Sequence, residues 1–318
     1  MRTILTIADN GRLRGGSLLV SLAMIAAACS PAVEEPFPQQ AAPLVVTTTS
    51  ILGDVVVNLV DGEAEVEVLI PSGTDPHEYQ ASPRQVARLR QADLVVANGL
   101  GLEETLADVL AAAAADGVKV LEVGPRLDPL PLGDVPCDPE SGVGCDPHVW
   151  MDPLRMVEAA RLIAAELADI APEVDWASRA ESYVSKLEAA HEEIVGLLAD
   201  IPEERRVLVT NHEALGYFAD RYGLEVLGAV IPGGSTLGEP SSADLAALVE
   251  LIRVRGVPAI FAETTQPLAL AEAVAAEAGR PVAVVRLYTG SLGAPGSGAE
   301  TLVGMLLTDA RLIAEALR

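Results

Sequence analysis

Residues Leu44–His77 read LVVTTTSILGDVVVNLVDGEAEVEVLIPSGTDPH, and this stretch decides the fold class. Leu44–Thr48 is a short apolar run of strand type, Ile51–Leu59 is helical, and Glu65–Ile70 is a second strand-like run. Strands that alternate with helices make parallel α/β sheets. Further along the chain, Asp93–Ala97 and Lys119–Val123 supply two more strands, with helices at Pro83–Gln91, Leu102–Ala114 and Pro153–Ile170. The second half repeats the plan. Its strands are Arg206–Thr210, Glu225–Val230, Ala259–Ala262 and Pro281–Val285, and its helices Glu213–Tyr222, Ser242–Arg255, Pro267–Ala278 and Glu300–Leu317. Ser241 and Asp244 have the spacing of a capped helix start. Between the halves, Trp176, Ala180, Tyr183, Leu187, Ala190, Ile194 and Leu197 recur at helical spacing, which predicts one continuous helix from Pro172 to Leu198. A helix of about 26 residues is about 39 Å long. The expected fold is therefore α/β: two lobes (44–171 and 200–318), each a four-stranded, mainly parallel sheet flanked by helices, joined by one long rigid helix (172–199).

In open α/β sheets, ligands bind at the carboxyl ends of the strands. Three of the four histidines fall there. His77 follows Glu65–Ile70 in Thr74-Asp75-Pro76-His77-Glu78, and His148 lies beyond Lys119–Val123 in Asp146-Pro147-His148-Val149-Trp150-Met151-Asp152-Pro153. His212 follows Arg206–Thr210 in Asn211-His212-Glu213. Taken singly, His77 and His148 read as surface-loop residues after Asp-Pro turns, and His212 as a hydrogen-bonded interior imidazole. Their shared position, two from the first half and one from the second, points instead to a metal site between the lobes. Neutral imidazole is the commonest metal ligand, and a three-His set suits zinc. His191, among Glu188, Glu192 and Glu193, reads as part of a solvated helix face.

The chain has 318 residues, is 50% hydrophobic with 3% aromatics, and carries a formal charge of −25. The length suits about two domains with a core of Ala, Leu, Val and Ile. The acidic balance disfavours nucleic acid, whose phosphates demand Lys and Arg. Residues 1–28 read as a lipoprotein signal peptide: Arg2, Arg12 and Arg14 precede the apolar Gly16–Ala28, which ends in Ala26-Ala27-Ala28-Cys29. Cys29 is then the lipidated N-terminus, and residues 29–43, rich in Pro, Glu and Gln, form a flexible tether. No later run is apolar enough to span a bilayer. In an oxidising compartment Cys137 and Cys145 would close a small ring, worth about 2–3 kcal/mol on the loop-entropy account.

Several chemistries fail on single residues. His212-Glu213-Ala214-Leu215-Gly216 begins like a zinc-protease helix but has Gly216 where the second imidazole belongs. His191-Glu192-Glu193-Ile194-Val195 fails in the same way. Gly233–Gly238 has P-loop spacing, but Glu239 and Pro240 replace the Lys and Ser/Thr that meet phosphate and magnesium. A nucleophile elbow is also absent.

At Thr47–Gly99, Asp146–Pro153, Thr210–Gly228, Gly238–Val249 and Ala259–Thr264 the chain resembles the metal-binding solute-binding lipoproteins of zinc/manganese ABC transporters, the cluster A-I family. The resemblance implies two α/β lobes on a rigid backbone helix, with His77, His148 and His212 as the first three ligands of a metal held between them. It also implies an extracytoplasmic, membrane-anchored monomer that serves an ABC permease and its ATPase, and it implies no enzyme. Members commonly carry an Asp in the segment matching Leu287–Gly293, but Gly290 stands there. Water, Glu263 or Glu78 would then be the fourth ligand. Zn2+ is the expected metal, because three imidazoles and one oxygen match its preference; Mn2+, a harder ion, comes next. The rival reading is a secreted zinc hydrolase with Glu263 or Glu78 as general base. A surface-adhesin role is a third.

Overall fold

The computed structural model describes residues 42–133 and 135–318. The signal segment, Cys29 and all but the last two residues of the tether lie outside them. In chain order the first half comprises β1 (Leu44–Thr47), α1 (Ser50–Val60), β2 (Glu65–Val68), α2 (Pro83–Leu89), β3 (Leu94–Ala97), α3 (Ala107–Ala115), β4 (Val120–Glu122) and α4 (Pro153–Ile170). After α5 (Trp176–Leu198) come β5 (Val207–Thr210), α6 (Gly216–Tyr222), β6 (Glu225–Ala229), α7 (Ser242–Arg255), β7 (Ala259–Glu263), α8 (Ala269–Glu277), β8 (Ala283–Leu287) and α9 (Leu302–Leu317). All strand pairs are parallel, and the two four-stranded sheets have the same order, β2-β1-β3-β4 and β6-β5-β7-β8. Among the described residues no helix is long and apolar enough to cross a membrane.

The near-continuous apolar strands are explained by burial on both faces. On β1, Leu44 and Val46 join an outer core with Leu89, Leu106 and Leu110, whereas Val45 faces the opposite way. On β7, Ile260 and Ala262 meet Ile252 of α7 and Val274 of α8, and Ala259 and Phe261 face the opposite way. Those opposite faces share one continuous inner core that also takes in Leu59, Ile163, Leu187 and Ile313. Helix α5 packs on α1, α4 and α9. It thus belongs to the core of both halves, and its 23 residues run about 35 Å at 1.5 Å per residue.

Local chemistry sets the helix ends. Ser82 and Gln85 form a capping box at α2, as Ser241 and Asp244 do at α7. Asp152 caps α4 and Thr301 caps α9. The long helix begins four residues later than expected. Ala171 closes α4, Pro172 stands in the connecting turn, and Asp175 is the N-cap, its side chain accepting from the Ser178 amide. The helix expected from Glu213 begins at Gly216: the Glu213 amide donates to the Gly233 carbonyl, which leaves His212 in a loop.

His191 departs from the solvated face expected for it. It is half-buried, with Nδ1 3.2 Å from the Tyr222 hydroxyl and its ring stacked on that of Tyr222.

Candidate metal centre

Each of the three clustered histidines is delivered by a loop at a strand's carboxyl end. His77 follows β2, His148 follows β4, and His212 sits two residues past β5. All three are at most 2% exposed. One nitrogen from each ring lies within 4.8 Å of the others. The closest approach, His148 Nε2 to His212 Nε2, is 3.0 Å. Zinc–nitrogen bonds of about 2.0–2.1 Å put tetrahedral ligand nitrogens roughly 3.3 Å apart. The cluster brackets that spacing, so small rotations of the rings fit an ion. Among the described residues no other group of three His, Cys, Asp or Glu gathers in this way.

The outer nitrogens are held by carboxylates. His148 Nδ1 lies 2.8 Å from Asp146 Oδ1, which also accepts from the His148 amide at 2.9 Å. His212 Nδ1 is in contact with the Glu263 carboxylate at the end of β7. A carboxylate on one ring nitrogen fixes the tautomer and aims the other nitrogen. Both pairs therefore turn Nε2 inward. His77 is held differently: its Nδ1 is 3.5 Å from Glu104 Oε1, and neither ring nitrogen has a hydrogen-bond partner. A buried polar group without a partner costs free energy, and a metal ion at the cluster would supply one.

Electrostatics divide the three. Burial pushes the imidazoles of His148 and His77 down, His148 well below the usual range, and the charge on His212 adds to the effect. Burial also depresses His212, but its contact with Glu263 outweighs this and leaves it raised. The same contact holds Glu263 low despite burial. For Asp146 burial outweighs the His148 amide and the nearby charges of His212 and Arg155, and pushes it up to about 7.

The two candidate fourth ligands lie outside the cluster. Glu263 stands behind His212 as its support. Glu78 is exposed, 3.3 Å from Gln266 Nε2. Gly290 does not have positive φ, and a Cβ there would sit 3.5 Å from Glu263 Oε2, Pro76 Cδ and Thr265 Oγ1. The site can therefore take a side chain at this position, and Gly leaves a niche flanked by two oxygens. The sulfurs of Cys137 and Cys145 are within bonding distance, their Cα atoms 4.4 Å apart, and Cys145 adjoins Asp146.

Sequence reasoning missed Asp146 and Gly216. The repeated Asp-Pro-His tripeptide was the available signal, since Asp two residues before His can reach that residue's amide. Gly216, noted only for lacking the imidazole of a protease, has its own reason: a Cβ there would run into Asp146 Oδ2. Asp152, in the same motif as His148, is fully buried and binds Arg221 of α6 at 2.7 Å, while Trp150 Nε1 donates to the Thr289 carbonyl at 2.8 Å. That motif therefore pins the two halves together beside the site.

Two parallel sheets with a buried imidazole cluster at their carboxyl ends define a protein built to enclose an ion. The family described as zinc-uptake complex component A, periplasmic, matches residues 45–316, and the chain belongs to this family of metal-binding substrate-binding proteins of ABC transporters. The manganese-binding lipoprotein MntA of Halalkalibacterium halodurans is 31% identical over 291 residues, covering 91% of this chain and 93% of its own. The zinc-binding protein TroA of Treponema pallidum is 34% identical over 284 residues, covering 86% and 89%. Its solved structure superposes with a TM-score of 0.78 at 31% identity, over 87% of this chain and 99% of that one. The iron-binding protein YfeA of Yersinia pestis is 29% identical, covering 92% and 93%. The family consists of solute-binding proteins, so the hydrolase reading falls. Both acids it needed as base are also engaged elsewhere.

Proposed function

We propose that this protein captures a divalent transition metal with His77, His148 and His212 and delivers it to an ABC permease driven by its ATPase. The observation that carries the reading is the convergence of three buried imidazoles, two of them aimed by carboxylates and the third without a hydrogen-bond partner. Zinc is the first choice. Three neutral imidazoles suit it, and Gly290 withholds the carboxylate that manganese would prefer. Water in the niche beside Gly290 completes the set. Relatives named for manganese, zinc and iron support a divalent metal in general, and the choice among them rests on this donor set. The lipid on Cys29 holds the protein, as a monomer, at the outer face of the cell membrane.

Elemental analysis of the purified mature protein, followed by calorimetric titration with zinc and manganese, tests this reading. One equivalent of zinc, bound more tightly than manganese, is expected. Preference for manganese would overturn the zinc assignment, and absence of any stoichiometric metal would overturn metal capture.

A further inference from the structure

The two Asp-Pro-His turns share a backbone bond, but the first has a connection the second lacks. Asp75 Oδ1 accepts from the His77 amide at 2.9 Å. Its Oδ2 accepts from the Thr236 hydroxyl at 2.6 Å and from Gln266 Nε2, groups 161 and 191 residues away in the second half. Thr236 lies in the loop after β6, and Gln266 in the loop after β7. One carboxylate therefore joins three loops, two of which carry or adjoin site groups: His77 on one side and Glu263 on the other. Asp75 and Thr236 are buried, at 7% and 8% exposure.

The place of this contact matters. A cavity of about 360 Å³, open to solvent, is lined by Gly73, Thr74, Asp75, Glu78, Tyr79 and Thr265. Asp75 thus lies between the buried histidines and the outside. Elsewhere the halves are joined by the Tyr217 hydroxyl, which donates to the Asp146 carbonyl at 2.8 Å, and by the pair of Arg221 with buried Asp152. At the mouth, Asp75 makes the buried contact between the halves, and two bonds lie beside it: Gln266 Nε2 donates to Glu78 Oε1 at 3.3 Å and the Gly73 amide to the Ser291 hydroxyl at 2.8 Å.

We propose that Asp75, with Thr236 and Gln266, is a latch that sets how fast the cargo metal leaves. It is a positioning group, not a ligand, and the inference rests on the metal-capture reading above. The bonds it accepts from Thr236 and Gln266 hold the His77 loop against the second half, and the one from the His77 amide shapes the loop itself. Release requires that loop to part from Thr236 and Gln266, which exposes a buried carboxylate whose donors have gone.

The test uses the full mature protein and zinc alone. In Thr236→Val/Gln266→Met, the lost side-chain bonds go to Asp75 and Glu78 and none to a histidine. Zinc release, followed by stopped-flow transfer to a chromogenic chelator, is expected to quicken about tenfold with association little changed, because such effects fall mainly on the off-rate. Thr236→Ser, which keeps the hydroxyl, should release zinc at the wild-type rate. In an Asp75→Asn background the double change should add little, because the partner of those donors is already altered. Hydrogen exchange of the metal-free protein gives a readout independent of cargo: amides of residues 74–79 should exchange faster in the double variant. Unchanged release, effects that add fully to Asp75→Asn, or unchanged exchange at 74–79 would overturn the latch. A wild-type protein that binds neither zinc nor manganese would instead overturn metal capture, whatever the exchange pattern.

Discussion

Asp75-Pro76-His77 and Asp146-Pro147-His148 are the same tripeptide in two settings, and the difference lies in the carboxylate's second partner. In both, Asp Oδ1 accepts the amide of the His two residues on, at 2.9 Å. Asp146 then turns inward and takes His148 Nδ1, with Gly216 leaving the space its second oxygen needs. Asp75 turns across the mouth to Thr236 and Gln266. One carboxylate aims an imidazole and the other joins two halves of the molecule. A local motif fixes the turn, but tertiary neighbours decide what the carboxylate does.

The largest effect should come from the imidazoles themselves. Replacing His77, His148 or His212 with Ala is expected to weaken zinc binding by at least about a hundredfold, or roughly 2.7 kcal/mol, whereas His191→Ala should leave calorimetric affinity unchanged. Equal loss at His191 would break the distinction between site and helix face.

The two aspartates should separate next. Asp146→Asn removes the acceptor that orders His148 and is expected to cost roughly tenfold in zinc affinity, in the range typical of groups behind a metal ligand. Gly216→Ala should act in the same direction, because its Cβ would displace that carboxylate. Equilibrium titration of both variants checks this, and wild-type affinity in Asp146→Asn would show that the two turns do not differ as described.

Acidification tests His212. Its pKa is raised by Glu263, so metal must displace a proton there. Affinity should be fully present above that raised value and fall as pH drops through it, by about tenfold per unit for one displaced proton. His77 and His148 are depressed and add their protons only at lower pH. In Glu263→Gln the fall should begin at lower pH, which isothermal titration across a pH series would register.

How much of this was legible in sequence depended on whether the cause was local. Strand periodicity, the Ser241 cap and the strand-end histidines are patterns within one segment, and each element appears within a few residues of its expected place. The start of α5 was misplaced because Pro172 and Asp175 both suit a helix start, and only the turn after α4 decides between them. Asp146, Glu263 and Glu78 could not be assigned roles, because whether an acid ligates, supports or faces solvent depends on residues far away in the chain. Gly216 carried no visible meaning until Asp146 stood against it.

Gly290→Asp has a smaller expected effect. The backbone accepts a side chain there, and a carboxylate beside Glu263 and Thr265 should raise manganese affinity several-fold relative to zinc, because manganese favours hard oxygen donors. Competition titration of the two metals would show an unchanged ratio if position 290 does not face the ion. The smallest effect belongs to Cys137 and Cys145. Intact mass should rise by about 2 Da on reduction as one disulfide opens, with only a modest loss of zinc affinity through the loop leading to Asp146. Two free thiols in freshly isolated protein would remove the bridge.

X-ray absorption at the zinc edge of the loaded wild-type protein probes the three-imidazole site most directly. The expected shell is three imidazole nitrogens and one oxygen, and each His→Ala variant at positions 77, 148 and 212 should lose one of those nitrogens. A shell containing sulfur, or one that keeps all three imidazoles in His148→Ala, would contradict the site.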